Sequence, residues 1–257
     1  MKSLTIIIDG PRHPLVNMAL DYTLLRTRPR RGEAVLRIYQ WLPSGISIGR
    51  RQEVDAVVDL SEANKLGYIV VKRPTGGAAL IHETYGEITY SLLVPPSSNL
   101  YQTSVEESSS MIAEALIEAL VSLGIPASPQ GFLGMNREEN ICLLKKGFAD
   151  IVLDGRKISG SAQYRSKNGL LQHGSIMLHF NPLNWVKLIK TGSSLEEVNS
   201  LVGGILDLGY RAGIPDLINS IITSFSNLMG LPAVPASYEP IEIEEAMLLV
   251  ERGFFRP

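Results

Sequence analysis

Residues 150–178 have the sequence DIVLDGRKISGSAQYRSKNGLLQHGSIML, which indicates three short strands joined by two tight turns. Asp154-Gly155 and Asn168-Gly169 are typical of two-residue hairpins, because these residues accept the positive φ angles of such turns. Between the turns, Lys157 precedes the small residues SGSA at 159–162. Small side chains leave space above a strand, so we expect either a ligand or a closely packed neighbouring helix there.

The composition excludes several classes of protein. The 257 residues are 45% hydrophobic and 19% charged with a net charge of −2, which suits one large α/β domain and provides no basic field for nucleic acid. No apolar run reaches the length of a membrane span or of a signal-peptide core. Cys142 is the one cysteine and the four histidines lack zinc-ligand spacing, so we expect no disulfide and no metal. We therefore expect a cytoplasmic protein without membrane or nucleic-acid partners.

Strands and helices are predicted on both sides of this segment. Periodicity and breaker residues predict strands at 4–8, 34–41, 45–49 and 68–72, and helices at 17–26, 60–66, 104–123, 182–189, 195–201, 215–229 and 243–252. The helix at 104–123 has the strongest signal, because Ser104 and Glu107 form a capping box ahead of an apolar stripe. A Pro-rich linker is predicted at 232–240.

A glycine-containing loop, TGGAA at residues 75–79, lies between two predicted strands. It is neither a P-loop nor a dinucleotide-binding fingerprint, since both require a following helix. Adjacent glycines let backbone N–H groups approach a ligand closely, and Lys72 and Arg73 precede the loop. The loop could therefore hold a phosphate or a pantetheine-like group; a hairpin turn with two flanking charges is the alternative.

Residues 126–144 show no periodicity, and an irregular segment of this length is often functional. The segment contains Cys142, which Lys145 and Lys146 follow closely. A lone cysteine is more often an inert buried side chain than a nucleophile, whereas its position beside two lysines favours reactivity. The residues alone leave both interpretations open.

Four blocks in order resemble the biotin/lipoate protein ligase superfamily, in particular its lipoate-ligase and octanoyltransferase branch. They are LRIYQWLPSGISIGRRQ (36–52), KRPTGGAALIH (72–82), GRKISGSAQ (155–163) and LQHGSIML (171–178). The resemblance implies an α+β (mixed α/β) fold with a mostly antiparallel central sheet flanked by helices. It also implies a single catalytic domain over residues 1–257, with residues 182–257 as a helical extension packed on it.

The resemblance further implies an acyl slot between the glycine-containing loop and the small-residue strand. Its implied substrate-binding residues are Arg73, Thr75, Gly76, Gly77, Ala78, Ala79, His82, Gly160, Ser161 and Ala162. Lys157 matches the lysine of the family and is expected at the acyl carbonyl. Ala78 departs from the pattern, since the transferases often have Arg at this position and the ligases Gly.

Within the branch, the chain is most similar to the cysteine-type octanoyltransferases. In these enzymes a cysteine upstream of the Gly-Arg-Lys block forms an acyl thioester, and Cys142 lies 15 residues before Lys157. The resemblance implies transfer of octanoate from octanoyl-acyl carrier protein, through Cys142, to a lysine of lipoyl domains such as glycine cleavage H protein or 2-oxoacid dehydrogenase E2. A cation such as Lys157 would lower the pKa of the thiol from about 8.5. No cofactor is then required.

Two alternatives remain. An ATP-dependent lipoate–protein ligase would act through lipoyl-AMP and require ATP and Mg²⁺, without a protein nucleophile. A non-catalytic module would bind only the carrier protein or the lipoyl domain. The resemblance also implies acidic protein substrates, for which Arg50, Arg51, Lys145, Lys146, Arg165 and Lys167 could form a docking rim; basic residues that are merely solvated are the alternative. Lys157 is also expected to need a partner from outside residues 150–178, with Cys142 as the candidate.

Overall fold

The computed structural model describes residues 1–130 and 149–257, so the predictions for Cys142, Lys145 and Lys146 lie outside the described residues. The described strands are β1 (Leu4–Arg12), β2 (Ala34–Trp41), β3 (Gly45–Ile48), β4 (Ile69–Lys72), β5 (Leu80–His82), β6 (Glu87–Val94), β7 (Ser128–Pro129), β8 (Ile151–Leu153), β9 (Arg156–Ser166), β10 (Gly169–Met177) and β11 (Ala233–Pro235). The described helices are α1 (Pro14–Thr27), α2 (Val54–Val57), α3 (Leu60–Lys65), α4 (Asn99–Gln102), α5 (Val105–Val121), α6 (Pro182–Leu188), α7 (Leu195–Leu201), α8 (Ile214–Met229) and α9 (Pro240–Glu251).

The larger sheet has the described strand order β11-β1-β2-β6-β10-β9-β8-β7. In this spatial order, every neighbouring pair between β2 and the edge strand β7 is antiparallel. Strand β1 pairs in parallel with both β2 and β11. The predicted mostly antiparallel sheet flanked by helices is therefore confirmed. A second sheet has the order β4-β3-β5.

The three strands predicted within residues 150–178 are β8, β9 and β10. Asp154 and Gly155 have φ values of 50° and 76°, as expected for the first turn. The second turn is displaced by one residue, because Gly169 already pairs with Ser166. Gly169 is required for another reason: a Cβ at this position would lie 2.3 Å from the carbonyl oxygen of Val94.

One face of the larger sheet packs against α5 and α8. Apolar side chains from β6 and β10, such as Ile88 and Ile176, lie in one buried cluster with Leu116 of α5 and Phe225 of α8. As predicted, α5 begins beside Ser104, whose hydroxyl accepts a hydrogen bond from a backbone N–H in the first turn. This face is the main apolar core, and it leaves the opposite face for the candidate site.

The predicted linker at 232–240 is wrong at residues 233–235, which form the edge strand β11 beside β1. Proline is tolerated there because an edge strand need not donate on its outer side. The following helix, α9, is tied to the end of α1 by a hydrogen-bonded ion pair between Arg28 and Glu242 (2.7 Å). The division of the chain at residue 182 stays a prediction. None of the helices in the described ranges is long and apolar enough to cross a membrane.

Candidate functional site

A cavity of about 70 Å³ lies on the face of the sheet opposite α5 and α8. This volume is several times the roughly 10–15 Å³ that one water molecule needs. Its lining comes from α1, from six strands (β2, β3, β5, β6, β9 and β10) and from the segments before β5 and β8. The lining residues are Met18, Tyr39, Trp41, Ser47, Arg73, Ala78, Ala79, Leu80, His82, Thr89, Asp150, Lys157, Gly160, Ser161, Ala162, His173, Gly174, Ser175 and Met177. The glycine-containing loop and the small-residue strand thus border the same space.

A β-bulge turns Lys157 toward this cavity. On β8, Ile151 pairs with Ser159 and the next residue, Val152, pairs with Lys157, so Ile158 is the extra residue of β9. Ile158 is buried in the main core, whereas Lys157 lines the cavity. Without the bulge, strand alternation would place Lys157 on the face opposite Gly160.

The ammonium of Lys157 lies 2.7 Å from a carboxylate oxygen of Asp150. Both residues are buried, with 4% and 5% of their surfaces exposed. Asp150, the first residue of that segment, is thus one partner of Lys157. The predicted partner from outside residues 150–178, Cys142, lies outside the described residues and stays a prediction. The small side chains have a packing reason as well: a Cβ at Gly160 would lie 3.1 Å from Cε of Lys157.

The loop at residues 75–79 crosses the end of β3, because β4 and β5 pair with opposite edges of that strand. The hairpin-turn alternative is therefore wrong. The crossing is close: a Cβ at Gly49, just after β3, would lie 1.9 Å from the carbonyl oxygen of Gly77. Gly77 itself has φ 87°, a conformation that favours glycine. A Cβ at Gly76 would meet no atom within 4 Å.

The side chain of Arg73 holds this loop together. Its guanidinium donates to the carbonyl oxygens of Gly76 and Ala78 (each 2.7 Å) and to the hydroxyl of Thr75 (3.1 Å). It also donates to the carbonyl oxygen of Ser47 in β3 (3.0 Å). Arg73 therefore stabilises the loop crossover, in addition to lining the cavity.

His82 lies in a buried polar cluster centred on Glu87. Its Nδ1 lies 2.7 Å from Oε1 of Glu87, and the hydroxyls of Thr89 and Ser175 donate to the same oxygen at 2.6 and 2.7 Å. The indole of Trp41 stacks on the His82 ring with centroids 3.8 Å apart. Because the carboxylate of Glu87 can only accept hydrogen bonds, Nδ1 of His82 carries the proton and donates a hydrogen bond to Glu87.

A second buried cluster joins His173 to the loop and to α1. The hydroxyl oxygen of Thr75, which accepts from Arg73, lies 2.7 Å from Nε2 of His173. The other ring nitrogen, Nδ1, lies 3.2 Å from Asp21. Burial lowers the pKa of His173, as do Arg73 and His82, although Asp21 opposes them. His173 is therefore the neutral tautomer with its proton on Nδ1.

Asp21 is the anion of this second cluster. Arg37 donates to one carboxylate oxygen (2.7 Å), and Tyr39 and Ser91 donate to the other (2.9 and 2.6 Å). Burial by itself would raise the pKa of Asp21, but Arg37, His173 and Ser91 outweigh it and lower the pKa below its ordinary value. Burial also raises the pKa of Tyr39 well above its ordinary value, so Tyr39 is a neutral donor.

The predicted site residues fall into three groups. Those that line the cavity are Arg73, Ala78, Ala79, His82, Lys157, Gly160, Ser161 and Ala162. Thr75, Gly76 and Gly77 belong to the crossing loop behind it, and Cys142 lies outside the described residues. In the described ranges, no group of three or more His, Cys, Asp or Glu residues could hold a metal ion.

Sequence reasoning missed Asp150, His173, Asp21 and Glu87. One signal could have found Glu87: polar residues alternate with apolar ones in β6 (Glu87, Thr89, Ser91), which places them on one face of the sheet. His173 lacks this signal, because the neighbouring Gln172 is polar too. Asp150 and Asp21 carry no such signal.

Arg165, one of the residues predicted for the docking rim, is hydrogen-bonded within the fold, and the rim itself stays a prediction. Its guanidinium donates to the carbonyl oxygens of Leu100, Tyr101, Thr103 and Ser104 around the end of α4 and the start of α5. Burial lowers the pKa of Arg165. Its charge therefore satisfies helix-terminal carbonyls, whereas Arg50 and Arg51 are exposed.

The sheet, the crossing loop and the lysine-bearing strand together define a catalytic-domain fold of the lipoate protein ligase type. A solved structure from an archaeal lipoylation system, described as a bi-partite lipoate protein ligase and its E2 lipoyl domain from Thermoplasma acidophilum, superposes with a TM-score of 0.80 at 21% identity, covering 98% of this chain and 92% of that one. This likeness confirms the fold expected from the sequence.

The chain belongs to the family of the lipoyl protein ligase A/B catalytic domain, whose model matches residues 13–226. The octanoyltransferase LipM of Staphylococcus aureus is 35% identical over 185 residues, which are 68% of this chain and 66% of the relative. The octanoyltransferase LipM of Oceanobacillus iheyensis is 28% identical over 258 residues, covering 96% and 92%. This chain thus matches just under two thirds of the length of the first relative.

Proposed function

We propose that this protein transfers an octanoyl group from octanoyl-acyl carrier protein to a lysine of lipoyl domains, through a thioester on Cys142. The main support is the similarity to relatives named octanoyltransferase, joined to a cavity with a buried lysine at its wall. Glycine cleavage H protein and 2-oxoacid dehydrogenase E2 subunits are the proposed acceptors. The E2 lipoyl domain that belongs to the archaeal lipoylation system of the bi-partite ligase is consistent with such an acceptor.

The polar groups of the cavity wall support an apolar guest. Ser47 is hydrogen-bonded to His82 (2.8 Å), and Trp41 donates to Thr89 (2.8 Å). Thr89 in turn donates to Glu87. Because these groups are already hydrogen-bonded within the protein, a hydrocarbon chain can enter without leaving them unpaired. A ligand rich in polar groups would gain little from them.

Lys157 is the proposed electrostatic group of the reaction. Its ammonium, held 2.7 Å from Asp150, has a fixed position at the cavity wall. A cation there stabilises a cysteine thiolate and the negative charge that develops on the acyl carbonyl oxygen. Asp150 acts through Lys157, as the residue that positions it.

The proposed reaction has two acyl-transfer steps. In the first, the thiolate of Cys142 attacks the thioester carbonyl, a new S–C bond forms, and the carrier-protein thiolate leaves. In the second, the neutral amine of the acceptor lysine forms a C–N bond, loses a proton, and the Cys142 thiolate leaves. The first step exchanges one thioester for another, so ATP and Mg²⁺ are not required.

The test uses intact mass spectrometry of the whole protein incubated with octanoyl-acyl carrier protein. Because Cys142 is the one cysteine, a gain of one octanoyl group that hydroxylamine removes is expected in the wild type and not in Cys142→Ser. The adduct should then pass to an added lipoyl domain without ATP.

Two results would overturn the proposal. Modification of a lipoyl domain only with lipoate, ATP and Mg²⁺, without an adduct, would establish the ligase alternative. Binding of a lipoyl domain with neither activity would establish a non-catalytic module.

A further inference from the structure

We propose that Met18 sets the length of the acyl chain that the cavity accepts, an inference that rests on the octanoyl transfer proposed above. The cavity extends across four strands: Lys157 lines it from β9, whereas Tyr39 and Trp41 line it from β2. The described strand order β9-β10-β6-β2 separates these walls by three interstrand spacings, roughly 14 Å in total.

Met18 lies at the β2 end of the cavity. The residue before it, Asn17, donates from its side-chain amide to the carbonyl oxygen of Gln40 (3.0 Å). The backbone carbonyl oxygen of Asn17 accepts from Arg37 (3.2 Å). Gln40 and Arg37 both belong to β2, so this turn of α1 is held against β2. Met18 is 1% exposed and lines the cavity.

The β2 end suits the methyl terminus of a chain. The hydroxyl of Tyr39 donates to Asp21 and the indole N–H of Trp41 donates to Thr89, so the polar atoms of both rings already have partners. Met18 packs with both rings in one apolar cluster. A hydrocarbon terminus placed here is removed from water without displacing a hydrogen bond.

The dimensions match a medium-length chain. Seven C–C bonds of about 1.5 Å give an octanoyl chain an extended length of roughly 9 Å. The side chain of Lys157 spans part of the distance from β9, so a carbonyl at its ammonium places the terminal methyl beside Met18. A longer chain would have to displace the Met18 side chain into the packed cluster behind it, which contains Leu15 and Ala19.

The experiment compares Met18→Ala with the wild type in transfer from octanoyl- and dodecanoyl-acyl carrier protein. Shortening this side chain opens space at the end of the cavity. We expect the ratio of kcat/KM for dodecanoyl over octanoyl to rise at least about 10-fold. Met18→Phe should raise the ratio of kcat/KM for hexanoyl over octanoyl, because the larger side chain shortens the slot. An unchanged chain-length ratio in both folded variants would overturn the inference.

Leu20→Ala is the matched control, because Leu20 lies on the same helix and in the same cluster but does not line the cavity. It should lower stability without changing the ratio; an equal change in the ratio would overturn the role of Met18. If Met18→Ala does not fold, Met18→Val, which also shortens the side chain, takes its place.

A second readout separates this inference from the proposed function. Calorimetry measures the binding of free octanoic and dodecanoic acids to the wild type and to Met18→Ala. If the wild type transfers no acyl group but Met18→Ala gains affinity for dodecanoic acid alone, the proposed function fails and the role of Met18 stands. If the wild type transfers octanoate and neither readout changes in the variant, the role of Met18 fails alone.

Discussion

The two faces of the larger sheet differ in how their side chains are used. Strand β6 contributes to both: Ile88, Tyr90 and Leu92 lie in the apolar core against α5 and α8, while Glu87 and Thr89 lie on the cavity face. On the core face, side chains fill space and stabilise the fold by burial. On the cavity face, polar side chains satisfy one another and leave a space unfilled. Core packing and the lining of the cavity are therefore assigned to alternate residues of the same strands.

The largest expected effect comes from Lys157→Met on the cavity face. Octanoyl transfer should fall at least about 100-fold, since a fixed charge near the reacting carbonyl is lost. The free energy of unfolding should fall by about 3–5 kcal/mol, because Asp150 loses the ammonium 2.7 Å from it. The double variant Lys157→Met with Asp150→Leu should regain most of the stability but none of the activity. Urea unfolding and the transfer assay measure the two effects.

Phe225→Ala on the core face is the control for this prediction. Phe225 is fully buried against Tyr90, with ring centroids 5.5 Å apart, so the variant should lose a similar 3–5 kcal/mol. Its transfer rate per folded molecule should stay at the wild-type level. A loss of activity equal to that of Lys157→Met would show that both variants act through stability, against the division between the faces.

An intermediate effect is expected from His173→Gln as a change in pH dependence. The pKa of His173 is below its ordinary value of 6.5 in the folded protein, so the unfolded state binds the proton first as the pH falls. The stability due to neutral His173 is complete above pH 6.5 and decreases below it, by at most about 1.4 kcal/mol per pH unit. Asp21, Arg73 and His82 are the charged or titratable groups that act on this ring.

The measurement is urea unfolding at pH 7.5 and 5.5. His173→Gln should show a smaller loss of stability between these pH values than the wild type. The same loss in both proteins would mean that His173 does not titrate differently on folding.

The smallest effect is expected from Ser159→Ala. Ser159 pairs with Ile176 and Ile151, and its buried hydroxyl has no hydrogen-bond partner within the described ranges. Removing it should be neutral or stabilise the protein by up to about 1 kcal/mol. Ser91→Ala, the matched control, removes a donor to Asp21 and should cost about 1–3 kcal/mol. Thermal unfolding compares the two; destabilisation by Ser159→Ala would contradict the assignment.

Local patterns predicted most of the fold and part of the site. Caps, apolar periodicity and glycine-containing turns depend on neighbouring residues, so α5 and the strands around Asp154-Gly155 could be recognised directly. The crossing of β3 by the loop at 75–79 could not, because it depends on which strands pair. The prediction of a linker at 232–240 was wrong for the same reason, because β11 forms by pairing with the open edge of β1, which is distant in sequence.

The site illustrates the same limit. A resemblance placed Lys157 in it, but its pairing with Asp150 depends on the extra residue Ile158, and no local signal marks a bulge of this kind. His173 and Asp21 meet across helix α1 and strand β10, more than 150 positions apart in the chain. Long-range hydrogen bonds between single polar residues leave little trace in a sequence pattern.

The parallel pairing of Leu4 with Ala233 has a consequence for synthesis on the ribosome. The partner of the first strand emerges more than 220 residues later, which takes roughly 10–45 s at the usual 5–20 residues per second. Throughout that interval the outer edge of β1 offers unpaired N–H and C=O groups to any other nascent chain. The strand that closes this edge is made long after the strand it covers, so the yield of soluble protein should respond to the speed of translation.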